Sequence, residues 1–245
     1  MVILIHGLGV DHRMWFFQQR RLGAKFQITA PDLPAFGGSA PLKNDRQDYL
    51  VALADWLAGE IERNGGGKAD LAGYSMGGTV ALLVALRRPD LVNSLTLACT
   101  SAKWSRGRGW MGFLTRWPFG GIGAYFVGLG MRINIRLLVK SRADRELLDS
   151  MMELADKKTV KKLMKELWEA DLTGRLGEID APTLIIGGES DFLAPVAHLR
   201  ELAAGIKGSK LETIKGAGHY LCVQKARELA EAMERFLEAA KRADA

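Results

Sequence analysis

The sequence predicts an α/β fold built on a mostly parallel sheet, and three observations carry that prediction. Short apolar, β-branched runs alternate with glycine-containing turns and helical patterns along the 245 residues. The runs are apolar throughout rather than alternating, as expected of strands covered by helices on both faces. The composition, 48% hydrophobic and 25% charged, is that of a soluble globular chain with a sizeable core, which excludes disordered and collagen-like classes.

Taken in order, the first strand is expected at residues 2–5, Val-Ile-Leu-Ile, and runs into the turn His6-Gly7-Leu8-Gly9. A second run at 27–30 ends on Pro31, and a helical pattern fills 48–64. The third run, 69–72, leads into Gly73-Tyr74-Ser75-Met76-Gly77 and then a helix over 77–88. Further strands are expected at 94–99, 183–186 and 210–214, and a closing helix over 225–241 repeats Leu229, Met233, Phe236 and Leu237 at helical spacing. Between the fourth and fifth strands the rhythm breaks. That stretch holds four of the six tryptophans, many glycines, and then two helical patterns in which Leu147, Met151, Leu154, Leu163 and Leu167 oppose a charged side. The expected division is therefore a core of residues 1–100 and 181–245 with a helical cap of residues 101–180 over a site on the sheet.

Two cysteines, Cys99 and Cys222, are too few for a disulfide scaffold, and without CxxC spacing or a Cys/His cluster they read as reduced thiols of a cytoplasmic protein with no zinc site. The N-terminus lacks the basic region and cleavage site of a signal peptide. The longest uncharged stretch, 117–131, is broken by Pro118 and five glycines and falls short of the about 20 apolar residues of a spanning helix. Net charge is +6, concentrated between residues 103 and 175, where fifteen Lys and Arg face eight Asp and Glu. No nucleic-acid-binding module accompanies that charge.

The chemistry centres on Gly73-Tyr74-Ser75-Met76-Gly77, a G-x-S-x-G string between an apolar run and a helical pattern. Strand, tight turn and helix in that order make a nucleophile elbow: glycines permit the sharp turn, and the serine hydroxyl stands at a helix N-terminus that favours developing negative charge. A nucleotide-binding turn would need a following Lys-Ser/Thr or a G-x-G-x-x-G, and neither is present.

With His6-Gly7-Leu8-Gly9 after the first strand, Pro31-Asp32-Leu33-Pro34-Ala35-Phe36-Gly37-Gly38-Ser39 after the second, and Gly73 to Gly78 after the third, the chain resembles the α/β-hydrolase superfamily over almost its whole length. The resemblance implies an oxyanion hole made by the backbone N–H groups of Leu8 and Met76, with His6 shaping a loop rather than acting as a base. A serine needs a base, and of His6, His12, His198 and His219 the last fits, in a glycine-rich turn between the final strand and final helix. His12 is expected near the oxyanion loop, where it could line the pocket, and His198 in a solvated helix. The chain order Ser, acid, His directs the search for the carboxylate to Asp191, just after the fifth strand, with Glu189 as competitor. A serine at position 75 disfavours the dehalogenase and epoxide hydrolase branches, which use aspartate there. Family members usually carry two further strands before the segment that opens this sequence, so about six strands are expected, with the 27–30 strand at an exposed edge.

Trp104, Trp110, Phe113, Trp117, Phe119, Tyr125, Phe126 and Met131 supply enough apolar surface either for an acyl pocket or for the cap's own core. Lys157, Lys158, Lys161, Lys162 and Lys165 share one helical side, with Arg132, Arg136, Arg142 and Arg145 nearby. Such a run is either a solvated face or a dock for an acidic partner, as in the similar pimeloyl-acyl-carrier-protein methyl ester esterases. The expected activity is that of a cofactor-independent, metal-free serine hydrolase cleaving carboxylic esters with an apolar acyl or alcohol part. The alternatives are a carrier-protein methyl ester esterase, a carbon–carbon bond hydrolase, and a non-catalytic ligand receptor of the same fold.

Overall fold

The computed structural model describes residues 1–43, 48–64, 67–104, 135–136 and 139–243. Six strands, β1 (Val2–Ile5), β2 (Ile28–Thr29), β3 (Ala69–Tyr74), β4 (Val92–Ala98), β5 (Thr183–Gly188) and β6 (Lys210–Ile214), form one sheet in the order β2-β1-β3-β4-β5-β6. Every pairing is parallel. Around it lie α1 (Phe16–Leu22), α2 (Tyr49–Arg63), α3 (Met76–Arg87), α4 (Arg142–Leu154), α5 (Lys157–Glu169), α6 (Val196–Gly205), α7 (Leu221–Gln224) and α8 (Ala226–Ala243).

Successive strand residues point to opposite faces, so an all-apolar strand feeds two cores. Ile3, Ile5, Leu71, Leu95, Leu97 and Ile185 pack with the inner faces of α2, α3 and α6 on one side. Val2, Leu4, Ala72, Ala98, Leu184 and Ile186 pack with α1 and α8 on the other, against Leu22, Leu229, Met233 and Phe236. Each fully buried Leu or Ile is worth about 1.5–3 kcal/mol relative to exposure.

The two edge strands depart from the uniform pattern. β2 has only two residues, both half-buried, and β6 exposes Lys210, Leu211 and Thr213. An edge strand has a neighbour on one side only, so β6 can carry lysine and glutamate where β1 and β5 cannot. The sixfold sheet and the edge position of the 27–30 strand are as expected from sequence.

The chain between β4 and β5 leaves and returns through a narrow neck. Lys103 and Asp171 form an antiparallel bridge and an ion pair at 2.5 Å, and Leu172 N–H donates to the Ala102 carbonyl at 2.9 Å. Helix α4 starts at Ser141, whose hydroxyl accepts the Asp144 N–H, and α5 at Asp156, whose carboxylate accepts the Thr159 N–H at 2.7 Å. Leu163 and Leu167 of α5 enter the α2 side of the core, and Glu166 accepts the Leu50 N–H at 2.9 Å. On the other face, Leu148 and Met151 of α4 are buried. The aromatic residues expected at 110–126, together with Met131 and Arg132, lie outside the described residues; Trp104 is described and packs against the α2 side of the core. Among the described residues no helix is long and apolar enough to cross a membrane.

Candidate active site

Strand β3 ends at Tyr74, and α3 begins at Met76, leaving Ser75 alone at the corner with φ 53° and ψ −119°. A non-glycine residue held at positive φ is strained, and such strain persists where the surroundings fix it. The fixing is visible. Ser75 N–H donates to Ala98 O at 2.9 Å, and the Ser75 carbonyl accepts from Thr100 Oγ1 at 2.7 Å and Gly78 N–H at 2.9 Å. The flanking glycines are demanded by close backbone approach: a Cβ on Gly73 would lie 2.3 Å from Gly77 O, and one on Gly77 2.3 Å from Ile5 O.

His219 Nε2 lies 3.1 Å from Ser75 Oγ, and His219 Nδ1 lies 2.8 Å from Asp191 Oδ2. The other carboxylate oxygen, Oδ1, accepts the N–H groups of Leu193 and Ala194 at 2.9 Å each. Because Asp191 can only accept when ionised, Nδ1 carries the proton and Nε2 is left to accept from the Ser75 hydroxyl. Asp191 and His219 are only 3% and 6% exposed. Burial opposes ionisation of Asp191, but the facing imidazole and the two backbone donors outweigh it and hold the carboxyl below its ordinary value.

Met76 is the first residue of α3, where an N–H has no intrahelical acceptor, and Leu8 lies in the turn after β1. That turn adjoins the serine: a Cβ on Gly7 would come within 3.3 Å of Ser75 Cβ. The structure thus brings Ser75, Asp191 and His219 into one hydrogen-bonded chain with the Leu8 and Met76 segments beside it.

The remaining candidates separate cleanly. Glu189 is exposed, and the His219 Nδ1 is taken by Asp191. His6 is fully buried, its Nδ1–H on Gly7 O and its Nε2 accepting the Leu33 N–H, both at 2.9 Å, so it joins the two loops beyond β1 and β2. His12 is half exposed and paired with Asp32 at 2.8 Å. His198, expected in solvent, is 6% exposed, because the first turn of α6 packs inward beside the acid loop.

Two buried neighbours of the triad, Tyr74 and Cys99, are not placed at the site by the sequence. Tyr74 donates its hydroxyl to the His219 carbonyl, and the Cys99 sulfur lies within 4.8 Å of the Asp191 and His219 donor atoms. Their signals, the residue before the serine and the residue just after β4, gain meaning only once the strands are side by side. Among the described residues two donor sets have metal-like spacing, and in both the donors are already engaged. Asp191 and His219 bind each other, and burial pushes the Cys99 thiol well up, so it stays protonated. In the second set, Asp11 is held bidentately by Arg13, and Asp32 by His12.

A model described as the alpha/beta hydrolase family matches residues 2–232. The pimeloyl-[acyl-carrier protein] methyl ester esterase of Neisseria meningitidis serogroup B is 31% identical over 245 residues, covering 97% of this chain and 92% of the relative. Among solved structures, a thermophilic esterase from Thermogutta terrifontis superposes with a TM-score of 0.81 at 26% identity, covering 98% of this chain and 89% of that one. An esterase from Exiguobacterium antarcticum shares the fold with a TM-score of 0.84 at 19% identity, covering 98% and 91%. With the family matched from the first strand into the last helix, the chain belongs to the alpha/beta hydrolase family.

Proposed function

We propose that the protein is a cofactor-independent serine esterase with Ser75 as nucleophile, His219 as base and Asp191 as the carboxylate that orients it. The observation that carries this is the unbroken chain Ser75 Oγ–His219 Nε2 at 3.1 Å and His219 Nδ1–Asp191 Oδ2 at 2.8 Å. Ser75 Oγ bonds to the ester carbonyl carbon while its proton passes to His219 Nε2. The resulting oxyanion is received by the Leu8 and Met76 N–H groups, and the imidazolium is stabilised by Asp191. Collapse breaks the carbon–alkoxy bond, and the alcohol departs with the proton from His219. Water, deprotonated by His219, then attacks the acyl-enzyme and releases the acid and Ser75. We further propose that the segment between β4 and β5 acts as a cap over this site, a role supported by the Lys103–Asp171 neck and by the anchoring of α4 and α5 on the core.

The test is hydrolysis of p-nitrophenyl esters from acetate to dodecanoate by the wild type and Ser75→Ala. Turnover abolished by the substitution, with an optimum at short or medium acyl length, is expected. No turnover in the wild type would overturn the general esterase reading and leave a carrier-bound substrate or a ligand receptor.

A second reading, a methyl ester carried on an acidic acyl-carrier protein, is supported by the Neisseria relative and by α5. Lys157, Lys158, Lys161, Lys162 and Lys165 are all exposed there, on a helix whose opposite face is anchored in the core. Methanol release from a carrier-bound methyl ester that weakens with salt and with Lys158→Glu/Lys161→Glu would favour this substrate over free esters.

A further inference from the structure

We infer, on the triad reading above, that Tyr74 is a positioning residue: its hydroxyl, bonded to the His219 carbonyl, holds the base in line with the serine that follows Tyr74 in the chain. The need for such a tie comes from topology. Ser75 leaves the end of β3, while His219 sits on the loop beyond β6, and β4 and β5 lie between them. Asp191, on the loop after β5, fixes the Nδ1 end of the ring but sets no distance to Ser75. Tyr74 spans the gap directly, being covalently next to the nucleophile and hydrogen-bonded to the backbone of the base.

The tyrosine itself is immobilised. As the last residue of β3 it pairs in register with Ala98 of β4, and it is 4% exposed. Its ring is flanked by Trp15, edge-on at 6.3 Å, and by the His219 ring at 5.4 Å. Gly7 leaves room for it: a Cβ there would stand 2.9 Å from Tyr74 Cδ1. Burial keeps the phenol well above its ordinary pKa, so the hydroxyl is a donor throughout the working range.

The carbonyl end is where restraint matters. Residue 219 follows Gly216, at φ 68°, and Gly218, and the edge strand that delivers the loop has a partner on one side only. Removing the hydroxyl leaves the ring packing intact but frees the His219 backbone to shift, and a displacement of the base of about 1 Å can cost about a hundredfold in rate.

The experiment compares wild type, Tyr74→Phe and Tyr220→Phe. Tyr220 is the control: its ring stands edge-on to His219 at 6.0 Å, but its hydroxyl has no hydrogen-bond partner among the described residues. Active sites are titrated with a fluorophosphonate so that rates refer to competent protein. Expected for Tyr74→Phe is a kcat per titrated site lower by about ten- to a hundredfold with KM within about twofold, while Tyr220→Phe matches wild type. The downfield proton resonance of the His219 Nδ1–H, read without substrate, is expected to broaden in Tyr74→Phe alone. A merely structural role would lower the melting temperature and the titratable fraction while leaving both the rate per site and the resonance unchanged, and that result overturns the inference. A wild type with neither turnover nor fluorophosphonate labelling of Ser75 overturns the triad reading itself.

Discussion

At the scale of single residues, the clearest consequence concerns His6, bonded at both ring nitrogens. Its Nε2 accepts the Leu33 N–H, a contact that protonation would turn into two donors facing each other. Burial, partly offset by the Gly7 carbonyl and by Asp32 and Asp11, lowers its pKa from 6.5. The unfolded chain therefore takes up a proton near pH 6.5 that the folded chain refuses, so stability falls as pH drops below that value. His6→Gln should melt lower than wild type at neutral pH yet lose less between about pH 7 and pH 5; an equal loss in both would remove His6 from the acid response. Asp191 acts in the same direction much lower, where its depressed carboxyl titrates below 3.8. The proposed triad residues are legible in the sequence because each occupies a turn marked by glycine or proline after a strand, an apolar one for Ser75 and Asp191 and the mixed Lys210–Ile214 run for His219. His198 differs from expectation because its polar side chain masks its place: it lies one residue before Leu199 and four before Leu202, on the side of α6 that meets the sheet.

At the scale of elements, β1, β3, β4 and β5 are legible because both faces are buried and so each carries an apolar run, with polar residues such as Asp70, Asn93, Ser94 and Thr183 near the strand starts and Thr96 within β4. β6 occupies the expected 210–214 span, but its mix of lysine, glutamate and threonine marks an edge only once its neighbours are known. The short α1, packed on α8 and opening with the exposed Phe16 and Phe17, carries no clear apolar stripe in its sequence. Helix α5 illustrates the reverse, since its lysines dominate the sequence while its leucines determine its place. Leu163 is fully buried against the core, whereas Leu154 at the end of α4 is 52% exposed. Leu163→Ala should cost about 2–5 kcal/mol in urea unfolding, and Leu154→Ala less than about 0.5 kcal/mol. Equal effects would mean that α5 is not anchored in the core in solution.

At the scale of the whole molecule, the site is a property of the sheet's carboxyl edge, and its parts are not equally supported. Backbone bonds step across that edge from Ser75 N–H to Ala98 O, Cys99 N–H to Ile186 O, Glu189 N–H to Ile214 O and Ser190 N–H to Ala217 O. The serine end of this series rests on β3, flanked by β1 and β4; the histidine end rests on β6, which has β5 alone and three exposed residues of five. Local opening follows such differences in burial and pairing, so β6 and β2 should exchange their amide hydrogens through fluctuations smaller than global unfolding, and β3 and β4 only through global unfolding. Function should follow the weaker end. In a urea titration, esterase activity is expected to fall before the far-ultraviolet signal of the sheet, with amides of residues 210–220 exchanging at least about tenfold faster than those of β3. If activity and ellipticity are lost at one midpoint and β6 exchanges as slowly as β3, then the edge strand is as firmly held as the centre, and the Tyr74 tie together with α8 behind it would have to be what holds it.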